Sequence, residues 1–368
     1  MTKARELAEL IGVSGTSEQV LAGRKNLIIN GAMQVAQRGT SFTCTNSTFI
    51  TLDRYTVYEG AAGATTYTVT QDSDAPAGFS KSLKIVNSTA VSLTSGQYGA
   101  LRYAIEGYDN VSTAMGTSSA KDVTLSFWVK SSLTGTFGVT LRASGGSSAN
   151  YVSSYTINSA NTWEYKTVTY PATSLGTWNS TNGVGSDIVW SLGTGSTFSN
   201  TAGYWNTGSN KFALTGETKI NGTAGATWQI TRVQLEVGSL ATPFEHRSYG
   251  EELALCQRYY EKSYNVGTTP GTATTAGALA SAYNGVSTSG FIGLGASFKV
   301  SKRATPTMVL YDNGGTSGKL TVSTPGVSDT NGQNGITERV GENMFVFYRV
   351  SGTSGVVLYG HFTADSEL

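Results

Sequence analysis

Charge is scarce in this chain. Asp, Glu, Lys and Arg make up 13% of 368 residues and sum to +1 with the histidines neutral. Nucleic acid and anionic membrane surfaces require clustered Lys and Arg, so composition argues against both as partners. No run of about 18 apolar residues exists, so nothing reads as a membrane-spanning helix. Met1 to Gly12 carries Glu6 and Glu9 and lacks an apolar core, which speaks against a secretory signal. Cysteine is nearly absent. Cys44 and Cys256 fall short of a disulfide framework, and we read both as reduced thiols of a protein made in a cytoplasm. The two histidines, His246 and His361, lie far apart in sequence, whereas a zinc site needs three or four converging ligands. No metal and no cofactor is expected.

What is abundant is glycine (45 residues), with 19 Tyr, 13 Phe and 6 Trp, at an apolar fraction of 39%. Aromatics can supply a core and glycines its turns, the profile of many short strands rather than of disorder. From Asn26 to about Glu245 the pattern is almost wholly β. Strands are predicted at Asn26–Gln34, Asp53–Glu59, Tyr67–Gln71, Ser82–Val86, Gly99–Glu106, Asp122–Ser131, Gly135–Ala143, Trp163–Tyr170, Ser186–Gly193 and Thr227–Val237. Period-2 alternation is clear in "DVTLSFWVK", where Val123, Leu125, Phe127 and Val129 share one face and Trp128 takes the other. After Val266 further strands are predicted near Gly290–Val300, Thr307–Tyr311, Lys319–Ser323, Asn343–Val350 and Val356–Thr363, with "SGTSG" at 351–355 as a hairpin loop. The expected fold class is mainly β: a jelly-roll β-sandwich over 26–246 and a smaller C-terminal β domain over 264–368.

Two helices complete this division. Residues 1–25 form an N-terminal helix and linker, with Ala4, Leu7, Ala8 and Ile11 on one stripe. So short a helix needs a partner, which is either its own downstream domain or, as the linker favours, a neighbouring subunit or a larger assembly. Residues 247–263 form a connecting helix. Ser248-Tyr249-Gly250-Glu251 fits a capping box, and Tyr249, Leu253, Cys256 and Tyr260 follow as one stripe. Leu7, Ile11, Tyr249, Leu253, Cys256 and Tyr260 are the expected assembly residues.

Candidates for chemistry are few. Cys256 and His246 would have to meet within hydrogen-bond reach to act as nucleophile and base, and a helix start separates them. Asp72 and Asp74 form the closest acid pair outside the helix, in a turn where Asp bonds local backbone; two carboxylates alone do not make a calcium site. No catalytic residue is assigned. Among the tryptophans, Trp128, Trp163 and Trp228 read as core. Trp178, with Asn179, Asn182 and Asp187 nearby, and Trp205 lie in polar surroundings and are the candidate ligand-binding residues, since an indole offers a flat face to a sugar.

Five stretches in order, "GRKNLIINGAMQVAQRGTSF", "LDRYTV", "ITRVQLEVGSLATPFEHRSYGEELALCQRYYEKSY", "KRATPTM" and the C-terminal "FTADSEL", resemble bacteriophage virion proteins of the tail-fibre or other peripheral-fibre kind. The sandwich portion is similar to jelly-roll carbohydrate-binding modules in its "LSFWVKSS" and "TWEYKTVTYP" strands. The resemblance implies a virion protein without enzymatic activity, usually a trimer. Its N-terminal helix would join other virion proteins, and its distal end would meet a host-surface glycan or protein. A capsid decoration or head fibre is the alternative, and a glycan depolymerase a third. No sugar-contact motif matches residue by residue.

Overall fold

The computed structural model describes residues 24–45, 49–60, 65–143, 149–282, 290–324, 326–351 and 356–368. The expected N-terminal helix, with Leu7 and Ile11, lies outside them. The chain forms two compact units. The first runs to Arg247 apart from two pieces, Val35–Ser41 and Thr51–Arg54, and these join Ser248–Leu368 in the second. The division expected from sequence had placed both pieces within the sandwich.

The first unit is a mainly antiparallel jelly-roll sandwich. Its strands are β1 (Ser41–Thr45), β2 (Phe49–Ile50), β3 (Tyr55–Gly60), β4 (Thr66–Asp72), β5 (Ser82–Asn87), β6 (Tyr98–Glu106) and β7 (Val123–Ser131). There follow β8 (Gly135–Ala143), β9 (Asn150–Ile157), β10 (Glu164–Tyr170), β11 (Val184–Thr194), β12 (Ser199–Asn200), β13 (Trp205–Asn206), β14 (Ala213–Leu214) and β15 (Thr227–Val237). One sheet has the order β1-β4-β5-β15-β7-β10 and the other β13-β9-β8-β11-β6-β3-β2.

Alternation builds the core. Val123, Leu125, Phe127 and Val129 of β7 are buried, as are Phe137, Val139 and Leu141 of β8 and Ile188, Trp190 and Leu192 of β11. Phe127 meets Tyr155 and Trp190 edge-on, at 5.2 and 6.0 Å between centroids. Trp228 donates its Nε1–H to the Tyr155 hydroxyl at 3.0 Å, so this indole is buried with its polar edge satisfied. Trp128 and Trp163 depart from the core reading. Both are half-buried, because their positions on β7 and just before β10 point away from the inward row. Asn26–Gln34 is not a strand either: Asn30 and Met33 adopt left-handed φ values of 60° and 58°, which break an extended run.

The second unit holds β16 (Tyr260–Lys262), β17 (Leu279–Ala282), β18 (Gly290–Ser297), β19 (Thr307–Tyr311), β20 (Lys319–Ser323), β21 (Thr330–Asn334), β22 (Ile336–Glu338), β23 (Met344–Ser351) and β24 (Val357–Asp365). Strand β24 pairs with β16, β17, β19 and β20, while β23 pairs with β18 and β22. The expected hairpin through 351–355 is therefore corrected: β23 and β24 belong to different sheets. Phe298, Leu310, Leu320, Phe345, Phe347, Leu358 and Phe362 fill the core.

The connecting helix spans Tyr249–Gln257, and the Ser248 hydroxyl accepts the Glu251 N–H at 3.3 Å. Tyr260 is not on this helix. The chain turns at Arg258 and Tyr260 enters β16, opposite Asp365. Cys256 and Tyr260 are buried in this unit, which corrects their assignment as assembly contacts. Tyr249 (45% exposed) and the half-buried Leu253 stay at the surface.

Candidate functional site

Of the five candidate ligand residues, the structure brings two together. Trp178 comes from the loop between β10 and β11 and Trp205 from the short strand β13, and their rings meet edge-to-face at 5.8 Å. Each is fixed by its polar edge. Trp178 donates Nε1–H to the Leu175 carbonyl at 2.9 Å, and Trp205 donates to the Pro171 carbonyl at 3.0 Å. Gly176, with φ 82°, supplies the turn that folds the Trp178 ring back on its own loop. Gly116 leaves room for that ring, since a β-carbon there would stand 2.6 Å from Trp178 Cδ1.

Tyr151 completes the cluster. It stands opposite Trp205 in the β9–β13 pair, 5.3 Å from it centroid to centroid, and touches the buried Tyr170 at 5.8 Å. Sequence reasoning missed Tyr151 and Tyr170 as partners because β9 was not predicted. The alternation Tyr151, Ser153, Tyr155, Ile157 was the available signal. Trp178, Trp205 and Tyr151 are half-buried, and Leu175 beside them is 46% exposed. With the indole edges engaged by backbone, what remains for a ligand is flat apolar ring surface.

The other three candidates have structural employment. Asn179 Oδ1 accepts from the Thr181 N–H (2.7 Å) and hydroxyl (2.8 Å), which shapes the turn. Asn182 is half-buried in the same turn. Asp187 is corrected: it is buried, not presented to a ligand. Arg142 grips it with Nε and Nη2 at 2.7 Å each, and Arg102 Nε adds a third contact at 2.7 Å. Burial alone would raise its pKa, but the two guanidiniums hold it below the ordinary carboxylate range.

This ion cluster lies on the outward side of the seven-stranded sheet. Nearby, Phe198 and Phe212 stack on each other at 5.0 Å and pack against Tyr58, Tyr98, Ala100 and Val189. Glu217 is buried there, accepting the Ser191 hydroxyl and the Leu214 N–H (3.2 Å). Burial pushes its carboxyl up to about 7.

The remaining candidates are also accounted for. Asp72 is paired with Lys84, and Asp74 with Lys130 and the Trp163 indole N–H. Cys44 and Cys256 are free and buried, and burial raises both thiols, Cys44 to about 12. A thiol held protonated in this way is a poor nucleophile. Among the described residues no group of three or more His, Cys, Asp or Glu is placed to hold a metal ion.

No protein family and no curated protein matches this chain. Solved structures similar to it include the enzymatically active domain of tailspike protein 4 from bacteriophage CBA120, at 14% identity and a TM-score of 0.29 over 58% of this chain. The match spans about a fifth of the tailspike chain, 21% of it. A family 11 carbohydrate-binding module from Clostridium thermocellum, in complex with a mixed-linked tetrasaccharide, is similar at 13% identity and a TM-score of 0.28, covering 55% of this chain and 99% of the module. A C-terminal family 22 module from the same organism is similar at 15% identity and a TM-score of 0.28, covering 57% of this chain and all of the module.

Proposed function

We propose that the chain is a structural adsorption protein of a phage particle, and that its sandwich binds a host-surface glycan through the Trp178–Trp205 patch. The observation that carries the glycan reading is the pair itself. Two indoles, one from a loop and one from β13, are locked by backbone carbonyls with ring surface left half-open. A pyranose presents an apolar face that can lie on such rings without any charge. The virion assignment is supported by the ordered sequence motifs. A non-enzymatic role is supported by the engagement of Asp72, Asp74 and Asp187 with cations.

The test is adsorption of the fluorescently labelled full chain to host cells. Trp178→Ala with Trp205→Ala should weaken it at least tenfold, about 1.4 kcal/mol, with the melting temperature of the second unit unchanged. Undiminished adsorption removes the assignment. Reducing ends released from the host polysaccharide would turn the reading into that of a depolymerase. Gold label on intact particles separates a tail fibre from a capsid decoration, and sedimentation tests the trimer.

A further inference from the structure

On the outer face of the six-stranded sheet, β15, β7 and β10 lie side by side. Thr231 stands opposite Trp128, and Trp128 opposite Tyr165. The Trp128 and Tyr165 rings are 5.9 Å apart, and Tyr165 is 40% exposed. The register of β15 against β7 slips between Thr231 and Gln234, a β-bulge that leaves Arg232 and Val233 unmatched on β7. Arg232 is left-handed there, with φ 55°, a conformation that a residue with a β-carbon rarely adopts.

The fold over-determines this strained position. Val233 donates its N–H to the Gly31 carbonyl at 2.9 Å, and Asn26 Nδ2 donates to the Val233 carbonyl at 3.2 Å. Gly31 approaches so closely that a β-carbon on it would lie 2.2 Å from that carbonyl oxygen. The result is one half-buried guanidinium on the outer face. Its Cζ is 5.6 Å from the centre of the Phe79 ring and 5.4 Å from that of Tyr165. Two neighbouring cations are matched, Lys130 by Asp74 and Lys84 by Asp72. Among the described residues Arg232 has no carboxylate in ion-pair reach.

We propose that this face is a second saccharide site, separate from the Trp178–Trp205 patch, and that it takes an acidic sugar. The carboxylate of a uronate pairs with Arg232, and the pyranose ring rests against Tyr165 and Trp128. A guanidinium fork matches a planar carboxylate through two parallel N–H bonds. The flanking rings hold the fork by cation–π contact and extend the flat surface beside it. A single guanidinium set between rings suits one carboxylate per sugar, whereas a nucleic-acid strand needs a track of several cations.

The experiment is calorimetric titration of the full chain with oligomers of galacturonate, glucuronate, mannuronate and guluronate, each beside its carboxyl-reduced counterpart. At least one acidic oligomer binds, more weakly as salt rises, and its reduced form binds at least tenfold more weakly. Arg232→Gln and Tyr165→Ala each lower the affinity at least tenfold, and Trp178→Ala with Trp205→Ala leaves it unchanged. Arg232→Gly, which suits the left-handed backbone, loses binding equally while melting no lower than the parent. The proposal is overturned if no acidic oligomer binds, if Arg232→Gln binds as well as the parent, or if the tryptophan variant loses the same binding. Failure of glycan binding at the tryptophan patch would leave each of these outcomes as stated.

Discussion

A carboxylate read in sequence is only a residue type; its surroundings decide its chemistry. Asp187 sits in "NSTNGVGSDIVW" beside polar residues and invites a ligand role, yet the structure buries it between Arg102 and Arg142. Nothing local reveals this, because Arg102 and Arg142 come from β6 and β8, 85 and 45 positions away. Glu217 presents the reverse case, a buried acid without a cation in ion-pair contact among the described residues. Folded, it keeps its proton to about pH 7, whereas its ordinary value is 4.5. Its contribution to stability is therefore complete below pH 4.5 and is lost as pH rises through 7, a difference of roughly 3 kcal/mol. Urea unfolding of the parent against Glu217→Gln should show the parent losing ground between pH 5 and pH 8. Parallel pH profiles would remove this assignment. The tryptophans were partly legible at this scale: polar surroundings picked out Trp178 and Trp205, but the outward placement of Trp128 and Trp163 depends on which face of the sheet is covered.

Four strands were legible to the residue. Gly135–Ala143, Thr227–Val237, Thr307–Tyr311 and Lys319–Ser323 form where the pattern places them. Strand β9 was hidden because Asn150, Ser153, Ser154 and Thr156 dilute its apolar row. The bulge in β15 was invisible for another reason: Arg232-Val233 looks like ordinary strand, and only Asn26 and Gly31, some two hundred positions earlier, complete it. That dependence gives a prediction for the element. Gly31→Ala has to displace the Val233 backbone, since its methyl would meet that carbonyl oxygen at 2.2 Å. A loss of about 1–3 kcal/mol is expected from overpacking of this kind, read as a lower urea midpoint. A silent substitution would mean that the bulge yields easily and that Arg232 is not held by the fold.

For the whole molecule, the sequence motifs have a common destination. "QRG", "LDR", "RYYEK" and the C-terminal "ADSEL" come together in the second unit. Gln37 donates to Asp53 and to the Tyr260 carbonyl, and Lys262 donates to the carbonyls of Gln37, Val266 and Thr268. Arg38 lies over the Tyr260 ring and Arg54 over that of Tyr259, at 3.7 and 3.5 Å, and both arginines pair with Glu367. The motifs thus mark a joint within this unit, with no reactive centre assigned to it. Glu367→Gln strips charge from a pair in which the Arg54 side chain is 1% exposed. Removing one partner of a buried ion pair costs about 3–5 kcal/mol, so calorimetry should find the second unit melting earlier. An unchanged melting profile would mean that the pair holds nothing.

Glycan binding at the paired tryptophans is the central claim, and the six indole N–H groups offer a direct report on it. The measurement is a two-dimensional nitrogen–proton spectrum of the labelled chain, titrated with polysaccharide purified from the surface of host cells. The Trp178 and Trp205 indole signals should shift and saturate, while those of the buried Trp190 and Trp228 stay fixed. Saturable binding that moves neither Trp178 nor Trp205 would contradict the account.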